Sequence, residues 1–185
     1  ARLIWPGDRL DLVHRLDRDT SGCLLIASSR GALVALQAQL RVGSMDKKYL
    51  VLVKGRWPRE CREVNAPLRK NALSSGERVV RVDVAGKAAI THFRVERHLP
   101  GYTLLQARLD TGRTHQIRVH CQLMGHPVAG DVKYGDAEAN RELRRLGLKR
   151  LFLHAEGLAF DAPEGKRIRC RAPLSDDLEA LLGRL

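Results

Sequence analysis

No run of apolar residues in this chain comes near the roughly 20 that a membrane-spanning helix needs. No basic amphipathic segment stands alone as a surface anchor either. The four cysteines, Cys23, Cys61, Cys121 and Cys170, lie far apart and form no CxxC pair, which removes zinc ribbons and dithiol redox motifs. Cys23, inside an apolar run, reads as a buried free thiol. There is no HExxH and no His/Cys pair at three-residue spacing. His115 and His120 are five apart, off the four-residue spacing that would put them on one helix face, so no bound metal is expected. His14 and His154 read instead as donors to backbone carbonyls or a carboxylate. Neither GxxxxGKS/T nor GxGxxG occurs, which leaves a nucleotide cofactor without support. Ser21 and Ser44 lack the setting of a nucleophile elbow. Internal repeats, low-complexity tracts and interdomain linkers are absent. With no secretory signal in view, a reducing cytoplasm is the expected location.

Acidic residues are also in short supply. Lys and Arg number 33 against 21 Asp and Glu, a formal charge of +12 and a pI near 10.2. Such an imbalance points to a polyanionic partner, and without a membrane anchor nucleic acid is the better choice. The 185 residues, 44% hydrophobic, suffice for one domain with a sizeable core.

Trp5-Pro6-Gly7 reads as a turn. Cys23 to Ala27 reads as a strand buried on both faces. Ser28 or Ser29 can cap a helix over 30–42, with Leu33, Leu36 and Leu40 at helical spacing and Gly43 to end it. Residues 47–55 form a strand with basic ends. From Arg56 to Glu77, two prolines, mixed charge and Ser74-Ser75-Gly76 predict an irregular surface excursion. Three β runs, 78–84, 88–98 and 102–109, have short connections and predict an antiparallel meander. A helix opens within 111–120, with Ile117, Cys121 and Met124 on one face. Another covers about 137–146, followed by strands over 151–160 and 166–171. Ser175-Asp176 can cap a last helix with Leu178, Leu181, Leu182 and Leu185 inward. Strands outnumber helices without βαβ alternation, so the fold class is α+β with a mixed, mainly antiparallel sheet.

Two stretches could carry chemistry. In HRLDRDTSG (14–22), Asp17 lies between Arg15 and Arg18. Nearby positive charge favours the ionised carboxylate, which could serve as nucleophile, general base or plain salt-bridge partner. In GRTHQIR (112–118), Arg113 sits at a helix start, against the macrodipole. It is either a solvated loop residue or the partner of a carboxylate such as Asp17. Tyr49 lies among Lys47 and Lys48; it could stack on a base while the lysines hold phosphates, or be a half-buried strand aromatic. Arg141, Arg144 and Arg145, with Lys149 and Arg150 beyond, form either a solvated helix face or a phosphate-contacting surface. A catalytically silent RNA-binding protein and a metal-assisted RNA hydrolase stay open as rivals.

Taken together, HRLDRDTSG (14–22), KKYLVLVKG (47–55), GRTHQIRVHCQLMGHPVAGDVKYG (112–135) and RLFLHA (150–155) resemble the RluA-type pseudouridine synthases in order and spacing. The segment KNALSSGERVVRV (70–82) most resembles members acting on large-subunit ribosomal RNA. The resemblance implies a mixed sheet with a central catalytic cleft flanked by helices and loops. It implies isomerisation of uridine to pseudouridine in RNA, with the base flipped out and no metal or cofactor. By the same likeness, Asp17 matches the catalytic aspartate and Arg15 the residue that fills the gap left by the flipped base. Tyr49 matches the tyrosine that stacks on the target uracil, Arg113 the arginine that salt-bridges the aspartate, and Leu153 an apolar position of the cleft. Relatives begin with a further strand and a small RNA-binding module. The expectation is therefore a single catalytic domain over 1–185, N-terminally truncated and monomeric.

Overall fold

The computed structural model describes residues 10–72 and 78–185. The expected turn at Trp5-Pro6-Gly7 and the Ser74-Ser75-Gly76 stretch lie outside the described residues. The element order is β1 (Asp11–Leu12), β2 (Ser21–Gly22), β3 (Ile26–Ala27), α1 (Arg30–Val42), β4 (Asp46–Lys54), β5 (Glu63–Asn65), β6 (Leu68–Ala72), β7 (Arg78–Val82), β8 (Ile90–Leu99), β9 (Tyr102–Leu109), α2 (Gln116–Leu123), α3 (Ala137–Arg145), β10 (Leu153–Asp161), β11 (Arg167–Arg171) and α4 (Asp176–Leu182). The main sheet runs β11-β10-β4-β9-β8-β5, all antiparallel, and β2 adds the one parallel pairing, against β10. The fold is thus α+β with a mixed, mainly antiparallel sheet. Among the described residues no helix is long and apolar enough to cross a membrane.

Strand alternation in β4 decides what lies where. Side chains of successive strand residues point to opposite faces. Val51 and Val53 pack with Phe93, Leu105 and the α2 residues Ile117 and Cys121 on one face. Leu52 packs with Leu104, Leu143 of α3 and Leu178, Leu181 and Leu182 of α4 on the other. On the α2 face, Leu33 and Leu36 of α1 meet Leu158 and Phe160 of β10, and Leu158 pairs with Lys47 in register. Helices α1 and α2 therefore flank the same face, and the strip of β4 and β10 between them is left open.

The α1 boundaries follow their caps. Ser29 accepts the Ala32 N–H, and Gly43 takes the left-handed conformation at φ 75°.

Three expectations are corrected. The 23–27 run is not one buried strand: only Ile26–Ala27 is paired, with β1, and Leu24 is 43% exposed. The stretch joins two elements rather than crossing a core, which a count of apolar residues does not distinguish. The 56–77 excursion is in part interior. Trp57 is 1% exposed, its ring 4.7 Å from that of Phe93 and its indole N–H on Cys61 O; β5 forms the sheet edge on β8. The meander holds for β8 and β9 only, since β7 turns back to pair with β6 in a separate hairpin that packs on Val119 of α2 and Tyr134.

Candidate active site

A cleft of about 570 Å³ lies over the open strip of the sheet. Its floor is Lys47 and Tyr49 of β4 and Leu153 of β10. One wall is the loop from Val13 to Thr20 with the end of α1; the other is the stretch from Leu109 to Arg118. Asp17, Arg15, Tyr49, Arg113, Leu153 and Lys47 all line it.

The loop bearing Asp17 is clipped at both ends. His14 Nε2 accepts the Leu25 N–H at 3.1 Å, and the ring bonds the Arg15 backbone as well. At the other end Ser21 and Gly22 dock beside His154 and Ala155. The Ser21 hydroxyl bonds His154 Nδ1 at 2.9 Å and accepts from Arg150, and the far His154 nitrogen donates to Ala172 O as expected. Gly22 has φ 106°, and a Cβ there would stand 2.2 Å from Ala155 O. Gly22→Ala should therefore displace β2 and the Asp17 loop, with a stability loss of about 1–3 kcal/mol by thermal melts. An unchanged Tm with unchanged activity would contradict that close approach.

The guanidinium that meets Asp17 is that of Arg118, not Arg113. Arg118 Nη1 stands 3.3 Å from Asp17 Oδ2, while Arg113 Nε donates to Ala88 O. Helix geometry explains the exchange. α2 begins at Gln116, so Arg113 lies in the preceding turn, and Arg118 is carried inward beside Ile117 and Val119. Arg118 is itself held by Asp131, Nε to Oδ2 at 2.6 Å and Nη2 to Oδ1 at 2.8 Å. Burial pushes the Asp131 carboxyl up, but the Arg118 bonds and the Tyr134 and Lys133 N–H groups more than reverse it, leaving it below the usual carboxylate range. The Tyr134 ring lies under Arg118, 4.9 Å from its guanidinium carbon. The motif glycines are steric: a Cβ on Gly130 would meet Arg150 O at 2.0 Å, and one on Gly135 would meet Asp131 O at 2.0 Å.

His115 completes the surroundings of Asp17, its Nε2 standing 4.0 Å from Oδ1. The turn before α2 is fixed by Gln116, 2% exposed. Its side-chain oxygen accepts from Thr111 Oγ1 and Arg113 N, and its amide donates to Ile90 O and Thr91. Arg15 and Arg18, expected as the electrostatic neighbours of Asp17, are exposed, and only Arg15 lines the cleft. Burial, with the Asp17 carboxylate adding to it, pushes the Tyr49 phenol up to about 12. It is a proton-bearing donor at neutral pH. Burial likewise lowers Lys47.

The structure separates Lys48 from Lys47. Lys48 points to the opposite face of the sheet, among Gln106, Glu156 and Arg171. Arg141, Arg144 and Arg145 are exposed on α3, also on that opposite face. Arg150 is structural, gripping Asp177, Ser175 and Ser21. Sequence reasoning passed over Arg118, Asp131, Tyr134 and His115. The available signal was an arginine set directly between the apolar Ile117 and Val119, where a charge demands a buried partner.

The imidazoles of His14, His115 and His120 are all held below their ordinary value of 6.5, chiefly by burial. In the unfolded chain they take up protons from about pH 6.5 downward; in the folded chain they resist until lower pH. The unfolded state then binds more protons, so stability falls as pH drops through 6.5. Thermal melts should give a lower Tm at pH 5 than at pH 7, and the reverse order would refute this.

Among the described residues no group of three or more His, Cys, Asp or Glu is placed to hold a metal ion. A family model described as RNA pseudouridylate synthase matches residues 7–123. The chain is 52% identical over 186 residues to ribosomal large subunit pseudouridine synthase C of Pasteurella multocida (strain Pm70), covering 100% of this chain and 57% of that protein. To the protein of that name from Escherichia coli (strain K12) it is 51% identical over 188 residues, covering 100% and 59%. The chain thus spans less than three-fifths of these relatives' length. Among solved structures, Human RNA Pseudouridylate Synthase Domain Containing 1 superposes with a TM-score of 0.81 at 27% identity, over 97% of this chain and 75% of that one. Human RNA Pseudouridylate Synthase Domain Containing 4 gives 0.79 at 25% identity, over 100% and 79%. With the family model over most of its length and half its residues shared with synthases from end to end, the chain belongs to the RNA pseudouridylate synthase family.

Proposed function

We propose that this chain isomerises uridine to pseudouridine in large-subunit ribosomal RNA, with Asp17 as the catalytic carboxylate. The observation that carries the reading is the placement of Asp17 in a cleft, gripped by Arg118 above a floor of Tyr49 and Leu153. The cleft's volume, about 570 Å³, suits an extruded nucleotide. The other carboxylate of the lining, Asp110, is engaged by His92 and Arg108. The substrate class rests on the relatives' names and on the charge of +12.

The reaction breaks the glycosidic bond to nitrogen, turns the ring and remakes the bond to carbon. A base within a helix is covered by its neighbours and must leave the stack, at a cost of a few kcal/mol. Arg15, exposed at the cleft, fills the vacancy in the RNA and offsets that cost. Tyr49 stacks on the uracil and keeps its phenolic hydrogen for donation, while Leu153 packs against the ring. Asp17 acts on the base or the sugar, its carboxylate oriented by Arg118. Arg113 and Lys47 meet the phosphates beside the target. Lys48, Arg141, Arg144 and Arg145 serve RNA that wraps to the far face of the sheet. The chain acts in the cytoplasm as a monomer, without metal or cofactor. The test is a site-resolved pseudouridine map of unmodified large-subunit RNA after incubation with the protein. New pseudouridine from the parent chain supports the proposal; none from it ends the proposal.

A further inference from the structure

His115 is the only non-glycine residue with positive φ among the described residues, at φ 55° and ψ 20°. That conformation costs about 1–2 kcal/mol for an L side chain. Residues kept in it cluster where their placement serves a site. Here the backbone is pinned on both sides: Val119 N–H bonds His115 O, and Gln116 N–H bonds Arg113 O. The strain holds the imidazole between Tyr134 and Asp17.

The hydrogen bonds around that ring have a direction. Val80 N–H donates to the Tyr134 hydroxyl oxygen at 3.0 Å. The same hydroxyl lies 2.8 Å from His115 Nδ1. A phenol has one hydrogen, and the arrangement that uses it sends it to Nδ1. The neutral imidazole then carries its own hydrogen on Nε2, the atom that faces Asp17 Oδ1. The Val80 amide thus takes one lone pair of the hydroxyl, and the arrangement that also uses the phenolic hydrogen makes Nε2 the donor.

We infer that His115 is a positioning residue for Asp17, offering Nε2–H to Oδ1 while Arg118 holds Oδ2, so that two donors from one turn of chain fix the plane of the carboxylate. The inference rests on the proposed synthase activity. The present 4.0 Å is about 1 Å beyond a hydrogen bond, and the contact closes when RNA fills the cleft, as catalytic hydrogen bonds commonly do. The groups that face His115 are Asp17 from the β1–β2 loop, Arg118 on its own helix, and Asp131, Lys133 and Tyr134 from the loop before α3. Burial and the two cations keep it neutral near pH 7 against the pull of the two carboxylates.

His115→Gly separates this role from folding, because glycine accepts φ 55° without strain. Expected is a fall in kcat of about ten- to a hundredfold, the range for partners that orient a reactive group, with KM for the RNA within twofold. Where the parent's His115 protonates, the new hydrogen on Nδ1 displaces the Tyr134 hydroxyl hydrogen and shifts the ring, so the parent's kcat should change over that pH range and the variant's should not. His115→Asn, which tolerates the left-handed region and retains a donor, should recover part of the loss. Independently of turnover, 15N spectra of the parent should place the proton on His115 Nε2, and Asp17→Asn should move the His115 titration to lower pH. Parent-like kcat and pH profile in His115→Gly, or a proton on Nδ1 in the parent, would overturn the inference while leaving the synthase reading in place. Absence of product from the parent would remove both.

Discussion

Asp17→Asn should reduce pseudouridine formation by about 10³- to 10⁴-fold while the Tm stays within a few degrees of the parent. The substitution keeps the shape of the side chain and one acceptor oxygen for Arg118, so the cleft retains its form. It removes the negative charge, without which neither bond making nor proton acceptance can proceed at that atom. A positioned acid or base contributes up to about 10⁴-fold, and among the described residues no other unengaged carboxylate lines the cleft to replace it. Little stability is at stake. Asp17 is 22% exposed, its contact with Arg118 is 3.3 Å long, and Arg118 keeps its two shorter bonds to Asp131. Partly exposed pairs of this kind contribute about 1 kcal/mol or less. Quantitative mapping over a long time course checks the rate. Equal product from parent and variant would take Asp17 out of the mechanism.

The second large effect is structural. Asp131→Ala should lower stability by about 3–5 kcal/mol, a large part of the 5–15 kcal/mol that holds most domains together. Asp131 has a side chain with 0% exposure, and it accepts two bonds from Arg118 and two from the N–H groups of Lys133 and Tyr134. Its removal leaves a buried guanidinium with only the single, longer contact to Asp17 as counter-charge and two amides without their acceptor. At about 2–4 °C per kcal/mol for a chain of this size, the Tm should fall by roughly 10 °C or more. Activity should fall with it, because Arg118 is then free to leave Asp17. The double variant Arg118→Met with Asp131→Leu is the control: replacing both charges by apolar groups should recover much of the stability and none of the activity. A double variant no more stable than Asp131→Ala would show that the ion pair is not what Asp131 supplies.

The cleft itself was largely legible in the sequence. Asp17, Tyr49, Arg15 and Leu153 line one cleft, as the resemblance carried by their motifs implied. What escaped reading was the side on which a residue lands. Lys47 and Lys48 are adjacent in sequence and on opposite faces of β4, a separation that strand alternation predicts once the register is known. Arg113 and Arg118 are both arginines of one motif. Which of them reaches Asp17 depends on where α2 starts, and that is set by Gln116 bonding across to β8. Such contacts are tertiary, and no local pattern records them. Trp57 escaped for the same reason: its neighbours Pro58 and Arg59 mark a loop, while its ring fills the space beside Phe93.

The acid side chain depends on partners far along the chain from it. Ser21 is bonded to His154, 133 positions further on, and Asp17 to Arg118, 101 positions further on. During synthesis the HRLDRDTSG loop emerges well before either the guanidinium or the strand edge that seats it. The reactive constellation is consequently withheld until the residues of α2 and β10 have been made.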